Sequence, residues 1–486
     1  MRRLGIAVLL LSCVSTLVAA DDVARLLTEI RGSHVVIDQT RELTDKIGGR
    51  PTGSPACVRA EEWAAAKLRA AGVDDVRLER YVLPATWRSD AATASCLSPE
   101  AFPLRIVACP LTVSTPKGEA LEATLVDFGD GSPEALAKVP PSKGKIAFVH
   151  SAIMKSLDDL FGDYFRVLTL LDAAHKSGVA AMLIESSQPR SLLYRHPVSF
   201  DGEIVKLPVA IVAHDQSERM VRLMESGQVR VRIRLVSKIK EPATARNVAG
   251  TIRGTDKSDE IVIFGAHLDS WDLGTGALDN GVNSATVIDL ARAIRATGLR
   301  PRRTIRFVLF TGEEQGMIGS REYVRAHASE LPKVVMMLTA DIGSGKTTGF
   351  FLNGREDLRR GVEEALGPIY SAKEQQNPID GIDGTDNFDF LISGVPNLVA
   401  NQDPVPYLPE YHAESDTFDK VDTKQAIENE AIDAAIVWYF ANTADRLPRQ
   451  NRAEVEKLLA DNHLVEQMKA FQQWDEWVGG KRGLGK

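Results

Sequence analysis

RFVLFTGEEQGMIGS, residues 306–320, joins a continuous apolar run to two adjacent carboxylates. Ile305 to Phe310 reads as a buried strand, so Glu313 and Glu314 fall in the loop just beyond its end. Side chains of consecutive residues diverge. One carboxylate can therefore hold a cation while its neighbour handles a water on the same cation, a division of labour that suits a hydrolase. Glu-Glu pairs are also common on solvated surfaces, so the weight comes from the surrounding motifs.

A second apolar run, Ile261 to Ala266, leads straight into His267, with Asp269 two residues on and Gly274-Thr275-Gly276-Ala277-Leu278-Asp279-Asn280-Gly281 following. A metal-binding imidazole is often supplied this way, one ring nitrogen on the metal and the other fixed by a neighbouring carboxylate. A third run, Val334 to Leu338, delivers Asp341, and the loop after Val395 to Val399 carries Tyr411, His412 and Asp416. His267, Asp279, Asp341 and His412 thus lie beyond the same ends of strands or in a late loop, the edge where open α/β sheets build their sites. The other seven histidines read as structural.

GAHLDSW, GALDNG, TGEEQG, the Ala-Asp of LTADIG and YHAESDTFDKVD, in that order, resemble the co-catalytic zinc aminopeptidase and glutamate carboxypeptidase family, nearest its carboxypeptidase Q-like branch. The resemblance spans nearly all of the chain after residue 20. It implies two zinc ions: His267 and Asp341 on one, Glu314 and His412 on the other, and Asp279 bridging both. It also implies Glu313 as general base, Asp269 as the residue steadying His267, and a cis Asp279-Asn280 peptide. Gly384-Thr385-Asp386-Asn387 matches a segment lining the family's substrate pocket, which makes Asp386 and Asn387 candidate substrate contacts, and Tyr411, at the end of the loop 404–411 placed to wall the cleft, is a third. Val282-Asn283 stands where the family has small residues. Zinc accepts imidazole and carboxylate alike, so the chemistry also suits the residue types by themselves.

The implied reaction is hydrolysis of dipeptides or short peptides with free termini. A glutaminyl cyclase-like acyltransferase and a catalytically silent, receptor-like binding protein are the alternatives on the same scaffold. Silence usually shows as lost ligands, and every matched ligand is present here. Ala340 to Thr347 fits a relaxed phosphate-loop pattern, but the β-branched, glycine and aromatic residues Thr347 to Phe351 make a poor first helical turn. No His-Glu-x-x-His occurs.

The 486 residues, 44% apolar and 26% charged, are ordinary globular composition. Met1-Arg2-Arg3, the apolar Gly5 to Val18 and Ala19-Ala20 have the parts of a secretory signal, so the protein is expected to be secreted or periplasmic. Leu10-Leu11-Ser12-Cys13 offers a competing lipid-attachment reading. The remaining 56 basic and 66 acidic residues disfavour nucleic acid, whose binding needs a basic face. The apolar leader is too short for a comfortable membrane span. Cys96 and Cys109 are the nearer pair for a disulfide, against an equal expectation of three thiols including Cys57.

Four segments are expected: the signal, 1–20; a first catalytic part, 21–111; an inserted, β-rich, protease-associated-like domain, 112–241; and a second catalytic part, 242–486. Strands alternating with helices imply an α/β fold with a mainly parallel central sheet. Two closing helices are expected over 422–446 and 454–477, the second a packing or homodimer element.

Overall fold

The computed structural model describes residues 21–485; the expected signal segment and Cys13 lie outside the described residues. One sheet contains β1 (Asp75–Leu83), β2 (Ala243–Ile252), β3 (Lys257–His267), β4 (Arg303–Phe310), β5 (Val334–Thr339), β6 (Thr347–Phe351) and β7 (Asn397–Gln402), in the order β1-β2-β4-β3-β5-β7-β6. The chain is α/β, as expected, but the sheet is mixed rather than mainly parallel. β4, β3, β5 and β7 run parallel, whereas the β1/β2, β2/β4 and β7/β6 pairs are antiparallel. Parallel neighbours need a crossover, and the helices Val282–Thr297 and Ile318–Ala326 supply those between β3, β4 and β5. β1 and β2 pair antiparallel and need no crossover; the chain between them runs out and back through paired strands of the insertion. Thr347–Phe351 is a strand, which removes the helix a phosphate loop requires.

Register sets the site. His267 lies opposite Phe310 and Gly265 opposite Thr339, so β3, β4 and β5 end nearly level. The residues just beyond them must therefore meet. Gly265 is required by this packing, because a Cβ there would come within 2.7 Å of the Phe310 ring. Phe264, Phe307, Leu338 and Leu398 are fully buried in the core between sheet and helices, each contributing about 1.5–3 kcal/mol of burial.

The second sheet begins at Thr86, earlier than the expected boundary at 112. Thr86–Ser98 pairs along its length with Arg230–Lys240, and Thr86 lies opposite Lys240. This ladder takes over where β1/β2 stops, at Leu83 opposite Ala243, so the insertion leaves and re-enters on adjacent strands. Leu121–Asp127, Ile146–Val149, Ala181–Glu185 and Val209–Val212 then run parallel to one another.

Asp422 caps Thr423–Asn442, accepting from the Lys424 and Gln425 N–H groups at 3.1 and 3.0 Å. The second expected closing helix is three short ones, Arg452–Asp461, Leu464–Ala470 and Trp474–Val478. Left-handed backbone at His463 and Gln472 breaks it, a conformation no helix interior accepts. Cys57, Cys96 and Cys109 are buried free thiols, so the Cys96–Cys109 disulfide does not form. Burial pushes all three above the usual thiol pKa. No helix among the described residues is long and apolar enough to cross a membrane.

Candidate metal centre

His267 closes β3, and its Nε2 lies 2.9 Å from Asp341 Oδ1 and 3.2 Å from Asp279 Oδ1. The second imidazole arrives on the late loop, with His412 Nε2 at 2.8 Å from Glu314 Oε2 and 3.3 Å from Asp279 Oδ2. The two oxygens of Asp279 thus face different histidines. His267, Asp279 and Asp341 form one group, and Asp279, Glu314 and His412 another, with candidate ligand atoms within 4.8 Å of one another. Ligands at about 2.0–2.2 Å around a tetrahedral zinc sit roughly 3.3 Å apart, close to these separations.

Unpartnered oxygens strengthen the fit. Asp279 Oδ2 and both oxygens of Glu314 are buried without a hydrogen-bond partner. An isolated buried carboxylate is strongly disfavoured unless a charge answers it. Glu313, by contrast, stands outside both groups and lines the open cleft, its Oε2 4.0 Å from His267 Nε2. Gly312 places the pair: its φ of +79° turns the chain off β4, and a Cβ there would meet the Tyr81 hydroxyl at 2.8 Å.

Burial raises Glu313 and Glu314 well above the usual carboxylate range, with added repulsion from neighbouring carboxylates. Burial works against charge on His267, but Asp341 and Glu313 hold it well above its ordinary value. Burial wins at His412, which is lowered despite Asp279. A cation-free cluster of this kind retains protons that metal binding would release.

Around the ligands, Asn280 Nδ2 donates to Asp341 Oδ1 at 2.8 Å, and Thr385 Oγ1 donates to Asp341 Oδ2. The Asp279-Asn280 peptide is cis. Asn283, at the family's small-residue position, donates to Asn280 Oδ1 at 2.6 Å and so braces the same turn. The first histidine is steadied by a main-chain group: His267 Nδ1 is 3.0 Å from the Asp269 carbonyl oxygen, whereas Asp269 Oδ1 is 3.7 Å away. Asp269 spends its other oxygen on the Thr52 hydroxyl.

Two supports had no assigned role in the sequence. Asp416 accepts N–H bonds from Ala277, Leu278 and Asp279 at 3.1, 2.7 and 3.2 Å, fixing the turn that presents the Asp279 carboxylate. Its signal was present, inside YHAESDT. Buried Arg50 donates to the carbonyls of Leu268, Gly48, Thr275 and Gly276; a lone arginine among 58 basic residues carries no such signal.

The cleft over the two ligand groups has a cavity volume of about 100 Å³. Leu157, Leu160, Phe161, Tyr164 and Phe200 of the insertion line it together with Ile382 and Phe471, whose ring packs edge-on against Phe200 with centroids 5.1 Å apart. Tyr411 also lines it, stacked on His412 with ring centroids 3.7 Å apart and its hydroxyl bonded to that of Tyr164. On the 384–387 loop, Gly384 and Thr385 line the cleft. Asp386 is fully buried and raised to about 8 by burial, and the Asn387 amide is spent on Ile382 O and Asn397 Oδ1.

Residues 247–437 match the model of peptidase family M28. Carboxypeptidase Q of Bos taurus is 28% identical over 411 residues, covering 84% of this chain and 85% of that protein. Carboxypeptidase Q of Homo sapiens is 27% identical over the same shares. A crystal structure of a peptidase M28 precursor from Shewanella amazonensis superposes with a TM-score of 0.81 at 28% identity, covering 89% of this chain and 99% of that one. BSAP, a zinc aminopeptidase from Bacillus subtilis, shares the fold at TM-score 0.66 and 20% identity, over 85% and 96% of the two chains. All five candidate ligands, at the ends of β3, β4 and β5 and on the late loop, fall within residues 247–437, the stretch that matches peptidase family M28.

Proposed function

We propose that the protein is an exported exopeptidase that binds two zinc ions and hydrolyses dipeptides or short peptides with free termini. The observation carrying the two-ion reading is Asp279, whose oxygens face separate histidines at 3.2 and 3.3 Å. His267 and Asp341 would hold one ion, His412 and Glu314 the other. Zinc bound there supplies Lewis acidity, polarising a peptide carbonyl and easing deprotonation of water.

Glu313 acts as the base. Its carboxylate takes a proton from the attacking water as the new C–O bond forms, then returns it to the amine as the C–N bond breaks. Such a positioned base contributes about 10²–10⁴ in rate. Tyr411, held by Tyr164, presents its ring to the cleft and fixes the aspect of His412. The apolar wall from Leu157 to Phe200 and the loop containing Thr385 restrict the cleft, which supports cleavage at an end rather than within a long chain. Export rests on the N-terminal signal pattern. The retained ligands and Glu313 favour this reading over a silent binding protein.

A dipeptide panel, assayed with added zinc and with chelator, tests the proposal. Short peptides with a free amino terminus are expected to be cleaved only with zinc, and their N-acetylated counterparts spared. A buried polar group left without its partner by the blocked amine costs about 1–3 kcal/mol. Efficient cleavage of N-acetylated peptides, or of internal bonds in a folded protein, would overturn the exopeptidase reading.

A further inference from the structure

His267 and His412 are oriented by different parts of the molecule. The partner of His267 Nδ1 is the carbonyl of Asp269, in its own loop. His412 Nδ1 instead lies 2.9 Å from the carbonyl oxygen of Arg195, which belongs to the insertion. Arg195 N–H returns a bond to the His412 carbonyl at 3.0 Å, and Glu414 N–H donates to Leu193 O at 3.0 Å, with Tyr194 bridged antiparallel to Ala413. A short piece of the insertion thus pairs as a strand with the loop bearing the second histidine. That loop needs the support: His412 has φ +53°, left-handed backbone that a non-glycine residue keeps only when its surroundings hold it.

The Arg195 side chain then anchors this piece to the other half of the site. It is almost fully buried, with Nε donating to Asp272 Oδ1 at 2.8 Å, Nη1 donating to Ala108 O at 2.7 Å, and its guanidinium 5.2 Å from the centre of the Trp87 ring. Asp272 lies in the loop that leaves His267, five residues on. We infer that Arg195 is a positioning residue through which the insertion orients His412: its main chain fixes the imidazole, and its side chain ties that segment to the loop after His267. The insertion is then part of the metal site and not only a wall of the cleft. This rests on the reading that His412 holds one of two zinc ions.

The test uses the full-length chain, stripped of metal and titrated with zinc against a chromophoric chelator, comparing wild type, Arg195→Ala and the milder Asp272→Asn. Groups that orient a metal ligand typically cost 10- to 100-fold in metal affinity when removed. The wild type is expected to bind two zinc ions. Arg195→Ala is expected to bind one of them normally and the other about 10- to 100-fold more weakly, and Asp272→Asn to shift the same ion less. Amide exchange in the metal-free protein should quicken at residues 195 and 414 but not along 261–267, and turnover of Arg195→Ala should recover at high zinc. Unchanged affinities and exchange in both variants would overturn the inference, as would acceleration at every amide, which marks a general loss of fold. A wild type that binds fewer than two zinc ions would instead remove the two-ion reading, and this inference with it.

Discussion

The two candidate metal-binding histidines reach the same aspartate, Asp279, from contrasting surroundings. His267 ends a core strand paired on both sides by parallel neighbours, and the groups that fix it come from the same stretch of chain. His412 sits on irregular backbone with positive φ, held by the insertion through residues 193–195. One half of the site is therefore fixed by sheet register, which core packing makes hard to change. The other half is assembled from segments more than 200 positions apart in sequence, and depends on two folded units staying in contact.

The largest expected effect separates chemistry from metal binding across this divide. Glu313→Gln should lower turnover by about 10²–10⁴ while leaving metal content unchanged, because Glu313 lies outside both ligand groups. Glu314→Gln should lose the metal shared with His412 and keep the one at His267, as metal analysis of the purified variants would show. If Glu313→Gln lost metal and Glu314→Gln kept both ions and activity, the two roles would be exchanged.

Next in size is the loop at 382–387, which supports the His267 half through the Thr385 bond to Asp341. Its Asp383 accepts from Gln473 Nε2 at 3.1 Å, and burial lifts its carboxyl to about 7 against the pull of Arg482. The folded state thus favours the protonated form, relative to an ordinary value of about 3.9. That stability is complete below about pH 4 and lost as pH rises through about 7. Asp383→Asn should accordingly flatten the decline in thermal stability between pH 5 and pH 8. A wild type equally stable at both, or a variant that declines just as steeply, would refute this coupling.

The legible parts of the molecule were those where a local pattern and a chemical motif coincide. Apolar runs ending at His267, Phe310 and Leu338 identify strands, and the residues beyond them carry the donors. Position relative to a strand end is enough to bring such residues together once the strands are neighbours. Thr86–Ser98 is harder to read because TWRSDAATASCLS lacks an apolar alternation, and this strand of the second sheet lies ahead of the boundary expected at 112. Arg230–Lys240 does alternate, Arg-Val-Arg-Ile-Arg-Leu, and that signal could have been used. Strand direction depends on which strands become neighbours, which no local pattern encodes; the antiparallel β1 and β2 are the result. Arg50, Arg195 and Asp416 act through main-chain groups distant in sequence, and a bond to a carbonyl or N–H leaves no mark on the identity of its partner.

In the proposed site Asp279 lies between two cations, one on each side of the divide between His267 and His412. Crystals of the zinc-loaded protein measured on both sides of the zinc absorption edge test it most directly. Two anomalous peaks are expected about 3.5–4 Å apart, one beside His267 and Asp341 and the other beside His412 and Glu314, with Asp279 between them and Glu313 coordinating neither. A single peak, or two peaks with Glu313 as a ligand and Asp279 touching only one, would contradict it.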